Sequence, residues 1–78
     1  MRKTIRFENR DRFIKLGLTI AMTRKLQGMS QEQLAEKANI SRSHLSMIEA
    51  PNIARSFSIE SLYTIADALD VRPEELLK

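Results

Sequence analysis

The side chains that most often carry out catalysis are scarce in this chain. It has no cysteine and its single histidine is His44, so neither a thiolate nucleophile nor a zinc site built from several Cys and His ligands is available. Glu74 and Glu75 are adjacent carboxylates, but neighbouring residues diverge on a helix and do not act as a pair. The chain also lacks a glycine-rich phosphate loop. We therefore expect no enzymatic activity, no catalytic residue, no metal and no cofactor.

The other chemistry that this sequence offers is electrostatic binding by its charged side chains. The 78 residues carry a net charge of +3, but residues 1–25 have eight basic and two acidic side chains, a net charge of +6. Residues 56–78 have two basic and five acidic side chains, a net charge of −3. This asymmetry favours a protein that binds a polyanion in one orientation, and the alternative is an ordinary solvated surface. The basic residues of the first segment are Arg2, Lys3, Arg6, Arg10, Arg12, Lys15, Arg24 and Lys25.

No segment is apolar enough to cross a membrane. The longest candidate runs from Leu16 to Met22, is short, and is interrupted by Gly17 and Thr19. With no cysteine and no apolar leader, the sequence predicts a soluble protein of a reducing compartment, the cytoplasm.

The hydrophobic periodicity predicts an all-α domain of five helices over residues 11–78, preceded by a basic arm over residues 1–10. The first helix is expected at about 11–27 and the second up to about residue 37. The third is expected up to about residue 50, the fourth after Ser58, and the fifth from Pro73. The inward residues of the fourth helix are predicted to be Ile59, Leu62, Ile65, Ala66 and Leu69.

The arm has a different period. Residues 3–7 alternate polar and apolar side chains, which is typical of a half-buried strand. Because the rest of the chain is helical, the arm is either disordered or a strand that pairs with its copy in a second subunit.

Residues 31–50 have the layout of a helix-turn-helix. Ser30 and Gln33 form the pattern of a capping box, Asn39 suits a turn with positive φ, and Ser41 can cap the next helix. Small Ala35 allows two helices to approach closely, and Leu45 lies inward on the second of them. In this motif the second helix enters the major groove of DNA.

These motifs resemble the Cro/C1-type helix-turn-helix family, which includes lambda-type phage repressors, Xre-like regulators and restriction–modification controller proteins. The resemblance covers about residues 13–77. It rests on Leu16-Gly17, Arg24, the run from Gly28 to Ala35, Ile40-Ser41, Leu45-Ser46, Ile48-Glu49, the run Ser58 to Leu62, Ile65-Ala66 and Leu69 to Val71. It implies a lambda-repressor-like DNA-binding domain.

The resemblance also implies roles for individual residues. It assigns base reading to four residues of the third helix, namely Arg42, Ser43, Ser46 and Met47. An arginine there can make a bidentate pair with guanine, and a methionine can contact a thymine methyl group. Phosphate contacts are implied or expected at Gln31, His44, Asn52 and Arg55. The family also implies a partly buried structural ion pair between Arg24 and Glu49. For the exposed residues the alternative is an ordinary solvent-facing side chain.

Two segments depart from the family pattern. After Glu49 many relatives carry Asn-Gly or Arg-Gly, whereas this chain has Ala50-Pro51, so the geometry at Asn52 and Arg55 is not given by the resemblance. On the first helix, apolar residues recur every fourth position from 14 to 26, where relatives usually carry polar residues. They form a wider core stripe, pack beneath the N-terminal arm, or make a partner surface, for which the candidate residues are Ile5, Phe7, Leu18 and Met22.

The sequence therefore favours a regulator of transcription that binds double-stranded DNA as a homodimer at a near-palindromic site. The alternative is a protein-interaction module such as the antitoxin of a toxin–antitoxin pair, which shares the fold and adds a protein partner. RNA binding is disfavoured, because the aromatic residues fall on arm, core and loop positions and form no stacking platform.

Overall fold

The computed structural model describes residues 7–50 and 57–78. Within these ranges the chain forms five α-helices and no strand. The helices are α1 (Phe7–Leu26), α2 (Gln31–Ala38), α3 (Arg42–Glu49), α4 (Ile59–Leu69) and α5 (Pro73–Leu76). The all-α, five-helix architecture predicted from the sequence is confirmed. No helix in the described part of the chain is long and apolar enough to cross a membrane.

Serine hydroxyls fix the starts of three helices. Ser30, Ser41 and Ser58 lie at the N-caps of α2, α3 and α4, and each side chain accepts a hydrogen bond from the amide three residues on. At α2 the capping box is complete, because the Gln33 side chain accepts from the amide of Ser30 at 2.8 Å. Pro73 starts α5, where its missing N–H costs nothing. All four starts lie where the sequence predicted them.

Three residues with positive φ end the helices. Gly28 (φ 75°) follows α1, and Asn39 (φ 58°) ends α2, the latter as predicted. Asp70 (φ 58°) ends α4 in the same way, although the sequence analysis did not single it out. Asn and Asp tolerate this left-handed conformation better than most residues, so the chain turns sharply at these points.

The core lies between the five helices. α2 packs against α4 and α3, α1 packs against α3 and α5, and α5 packs against α4. The largest fully buried side chains are Ile20, Leu34, Leu45, Ile65, Leu69 and Leu76. Side-chain contacts also tie α1 to residues 57–78. Phe13 meets Phe57 edge to face at 6.2 Å between ring centroids, and the Gln27 side chain donates to the carbonyl of Leu69 at 2.7 Å.

The structure corrects two expectations. α1 begins at Phe7, four residues before the predicted start at residue 11, so the end of the proposed strand at residue 7 is helical. Ile59 was predicted to lie inward, but it is the first residue of α4 and is 64% exposed, because it lies beyond the packed part of that helix. The rest of the predicted arm, residues 1–6, lies outside the described residues.

Candidate nucleic-acid interface

The helix-turn-helix consists of α2, a three-residue turn and α3. The amide of Asn39 donates to the carbonyls of Ala35 and Glu36, and the amide of Ile40 donates to Ala35 at 3.0 Å. These hydrogen bonds end α2, and the Ser41 hydroxyl caps the start of α3 by accepting a hydrogen bond from the amide of His44 at 3.0 Å. The amides of Asn39 and Ile40 thus bond to α2 and the Ser41 hydroxyl bonds to α3, which ties the turn to both helices.

α3 has one buried and one exposed face. Leu45, Ile48 and Glu49 are buried against the rest of the domain. The four residues to which the sequence analysis assigned base reading all belong to the exposed face, and they are Arg42, Ser43, Ser46 and Met47. This face offers a guanidinium group, two hydroxyls and a thioether to an external partner. Such groups can donate to, accept from or pack against the edges of bases.

A buried ion pair holds the C-terminal end of α3. Arg24 Nε donates to Glu49 Oε2 at 2.9 Å, and Arg24 Nη2 donates to Glu49 Oε1 at 2.9 Å. The two side chains are only 8% and 4% exposed. Arg24 Nη1 also donates to the carbonyl of Met29 at 2.8 Å, so one guanidinium group connects α1, the α1–α2 loop and α3. A bidentate pair of this kind fixes direction as well as distance.

Gln31 belongs to the same network. Its Nε2 donates to Glu49 Oε1 at 2.9 Å, so the amide expected to contact phosphate is directed at the buried carboxylate. The side chain is half-buried, and the second hydrogen on Nε2 remains for another acceptor. The sequence analysis missed this contact because Gln31 and Glu49 are 18 positions apart, and only the fold brings them together.

A close approach between backbones holds α3 from the α1 side. Gly17 is buried within α1, and a Cβ at this position would overlap the carbonyl oxygen of Ile48. Glycine in a helix costs about 0.5–1 kcal/mol relative to alanine, so its presence here needs a compensating reason. That reason is the contact itself, since only a glycine lets α1 lie against the backbone of α3.

The predicted phosphate-binding residues have different environments. His44 is half-buried, and its backbone amide is already bound to the Ser41 cap. Asn52 and Arg55 lie outside the described residues. The first amides of α2 have no partner within the helix, and Ser30 takes only that of Gln33. A helix start of this kind attracts phosphate through its amides and its dipole.

The charge is distributed differently on the helix-turn-helix and on α1. The exposed charged side chains of α2 and α3 are balanced, with two acidic and two basic residues, namely Glu32, Glu36, Lys37 and Arg42. The described part of α1 exposes an excess of basic side chains, namely Arg10, Arg12, Lys15 and Lys25 against Asp11. Within the described ranges, no group of three or more His, Asp or Glu residues is arranged to hold a metal ion.

The candidate partner surface is exposed where the structure describes it. Leu18 is 45% exposed and Met22 is 64% exposed, on the side of α1 away from the core. Residue 5 and the side chain of residue 7 are not described. Leu18 and Met22 are thus not part of the core formed by the described residues, and residues 1–6, beneath which this stripe was also expected to pack, lie outside the described residues.

Known proteins share both the sequence pattern and the fold. A family model described as Helix-turn-helix matches residues 20–76. The HTH-type transcriptional regulator SinR of Bacillus subtilis is 40% identical over 62 residues, which are 80% of this chain and 55% of SinR. The chain thus spans about half the length of that relative.

Solved structures agree with this result. The restriction-modification controller protein C.AhdI from Aeromonas hydrophila superposes with a TM-score of 0.76 at 33% identity, covering 82% of this chain and 94% of that protein. A crystal structure of SinR in complex with DNA superposes with a TM-score of 0.74 at 40% identity, covering 81% of this chain and 98% of that one. The likeness therefore extends over the helix-turn-helix and the helices that hold it.

Proposed function

The chain belongs to the Cro/C1-type helix-turn-helix family, and on this basis we propose that it is a transcriptional regulator that binds double-stranded DNA in a sequence-specific manner. The observation that carries the proposal is the arrangement of α3. Its buried face is fixed by the Arg24–Glu49 pair and by the contact at Gly17, while its other face is exposed. A firmly held helix with a polar, exposed face is what reading of the major groove needs.

In this proposal α3 lies in the major groove. Arg42 donates two hydrogen bonds to a guanine, Ser43 and Ser46 bond base edges, and Met47 packs against a thymine methyl group. Gln31, His44, Asn52 and Arg55 contact phosphates on either side. The neutral exposed surface of α2 and α3 supports a division of labour, in which the basic α1 supplies attraction and α3 supplies discrimination.

We further propose that two copies bind together. Two α3 helices about 34 Å apart enter successive major grooves on one face of the duplex, so the site consists of two related half-sites. This arrangement is supported by the length of α3, which has eight residues and can span only a few base pairs.

Selection of bound sites from a random pool of double-stranded DNA tests this function. The salt concentration is kept near physiological, so that binding driven by phosphate alone is suppressed. We expect enrichment of a site with two related halves. Binding that only follows the salt concentration, with no enriched site, would contradict the proposal.

Arg42→Ala then tests how the site is read. We expect it to relax the preference at one base of each half-site, at a cost of about 1–3 kcal/mol. Arg72→Ala is the matched control, because it removes the same charge from an exposed position at the start of α5. If both variants lose affinity equally at every sequence, Arg42 acts through charge and does not read a base.

Gln31→Ala is expected to weaken binding to all sequences alike, because a phosphate contact carries no base information. Gln31 also bonds the buried Glu49, so the thermal stability of this variant must be measured alongside. Loss of affinity well below the unfolding temperature supports a phosphate contact, and unchanged affinity there excludes one.

A further inference from the structure

One carboxylate oxygen joins the start of α2 to the end of α3. Glu49 Oε1 accepts from Arg24 Nη2 and from Gln31 Nε2, each at 2.9 Å. Gln31 is the first residue of α2 and Glu49 is the last residue of α3. The Glu49 side chain is only 4% exposed, whereas Gln31 is half-buried. The Gln31 amide is therefore anchored by a group that solvent hardly reaches.

The chemistry of the two groups determines which way the Gln31 amide faces. A primary amide has an acceptor end and a donor end of nearly the same shape, so an unrestrained glutamine can present either one. A carboxylate paired with arginine accepts hydrogen bonds and donates none, so only Nε2 of Gln31 can face Glu49. Glu49 uses one hydrogen of Nε2, and the second hydrogen points away from the carboxylate.

We propose that Glu49 is a positioning residue for DNA binding, which holds the Gln31 amide so that its second Nε2 hydrogen donates to a phosphate of the duplex. This role rests on the DNA binding proposed above and adds to it the residue that orients the phosphate contact. In the opposite orientation the amide oxygen would face the phosphate, and two acceptors repel each other. Because phosphate contacts set the register of a protein on the duplex, the bond between Gln31 and Glu49 also links that register to the end of α3.

The charge of Glu49 alone has the opposite effect on binding. Glu49→Gln removes one acidic group and raises the net charge of the chain from +3 to +4, and a more positive protein binds a polyanion more tightly. A glutamine at position 49 can donate as well as accept, so it no longer determines which end of the Gln31 amide faces it. Loss of orientation therefore predicts weaker binding by Glu49→Gln, whereas charge alone predicts tighter binding.

Fluorescence anisotropy with two labelled duplexes of equal length measures this effect. One duplex carries the site enriched by selection and the other is unrelated, and the folded fraction of each variant is checked by circular dichroism at the same temperature. We expect Glu49→Gln to bind both duplexes roughly tenfold more weakly than the wild type, the size of one lost hydrogen bond to a charged group. Equal or tighter binding by Glu49→Gln overturns the positioning role.

Two matched variants separate orientation from charge and from stability. Glu32→Gln makes the same change of charge at the next residue of α2, where the side chain is exposed, and it should bind as tightly as the wild type or more tightly. Arg24→Lys weakens the buried ion pair but leaves the carboxylate that accepts from Gln31, so it should lose stability and keep its affinity. If Arg24→Lys loses as much affinity as Glu49→Gln, the effect is structural and the proposal is overturned.

A double-mutant cycle shows whether Glu49 acts through Gln31. Gln31→Ala should weaken binding about as much as Glu49→Gln does, and the double variant Q31A/E49Q should be no weaker than Gln31→Ala. A further loss of affinity in the double variant would mean that Glu49 acts on DNA binding by another route, which overturns the proposal.

Nuclear magnetic resonance of the full chain follows the amide itself. In the free protein we expect the two Nε2 hydrogens of Gln31 to have well separated resonances, because one of them is bonded to Glu49. Addition of the unrelated duplex should shift the second resonance, and Glu49→Gln should abolish the separation. Two resonances that resemble those of an exposed glutamine, or that DNA leaves unchanged, overturn the positioning role. Failure to select any DNA site would overturn the proposed reading of sequence, yet binding of the unrelated duplex would still decide the role of Glu49.

Discussion

Replacing Glu49 by glutamine should destabilise this domain far more than a substitution of such similar shape usually does. The variant keeps the volume of the side chain but removes its charge. Arg24 would then be a buried cation, with the Met29 carbonyl and one amide oxygen as its only acceptors. Breaking one partner of a buried pair leaves an uncompensated charge, which costs about 3–5 kcal/mol.

The structure gives a similar magnitude by a second route. Glu49 accepts two hydrogen bonds from Arg24, and a bond to a charged group contributes about 1.5–3 kcal/mol. Because glutamine can still accept one of them, we expect a loss of about 3 kcal/mol. A domain of this size has a total stability of about 4–12 kcal/mol, and the unfolding temperature should fall by roughly 12–24 °C.

Urea denaturation followed by circular dichroism measures this loss, with Arg24→Met and the double variant R24M/E49Q completing the cycle. Removing both charges leaves no buried cation, so the double variant should regain most of the stability lost by Glu49→Gln. A loss below about 1 kcal/mol for Glu49→Gln would refute the argument, because that is the magnitude of an exposed pair that holds nothing in place.

Three further substitutions test the elements around α3. Gly17→Ala should lower the free energy of unfolding by about 1–3 kcal/mol, because the new Cβ would overlap the Ile48 carbonyl oxygen. Helix propensity alone predicts a gain of stability, so a gain measured in urea would contradict the close contact. Asn39→Ala should lower the free energy of unfolding by about 1 kcal/mol, and Asn39→Gly should lower it less, because φ at this residue is 58°. Equal losses of stability in thermal melts would argue against a left-handed turn. Ser30→Ala should cost about 1 kcal/mol through loss of the α2 cap, and an unchanged melting temperature would show that Gln33 alone satisfies this helix start.

The sequence predicted the local features of the fold well, because their causes are local. The caps at Ser30 and Ser41 and the turn at Asn39 each depend on residues no more than four positions away. The single exposed face of α3 also follows from the helical spacing of its apolar residues. The exposure of Ile59 could not be predicted in this way, since a residue at the end of a helix is buried only if another element reaches it.

The site was less accessible to sequence reasoning. Arg24 and Glu49 are 25 positions apart, and their pairing came from the family resemblance, not from spacing. The contact of Gln31 with Glu49 was not foreseen, because an amide at a helix start suggests an external acceptor. The role of Gly17 was also missed, since nothing in one sequence indicates which backbone a glycine approaches.

The attachment of α3 has a consequence for how such a protein can change its target. Ile48 and Glu49, which fasten the helix, are separate from Arg42, Ser43 and Ser46, which face outward. Exchanging the outward residues removes no core contact, so under the proposed function the preference for one DNA sequence can change at almost no loss of folding stability. Folding stability and the proposed sequence preference thus depend on different positions of the same eight-residue helix.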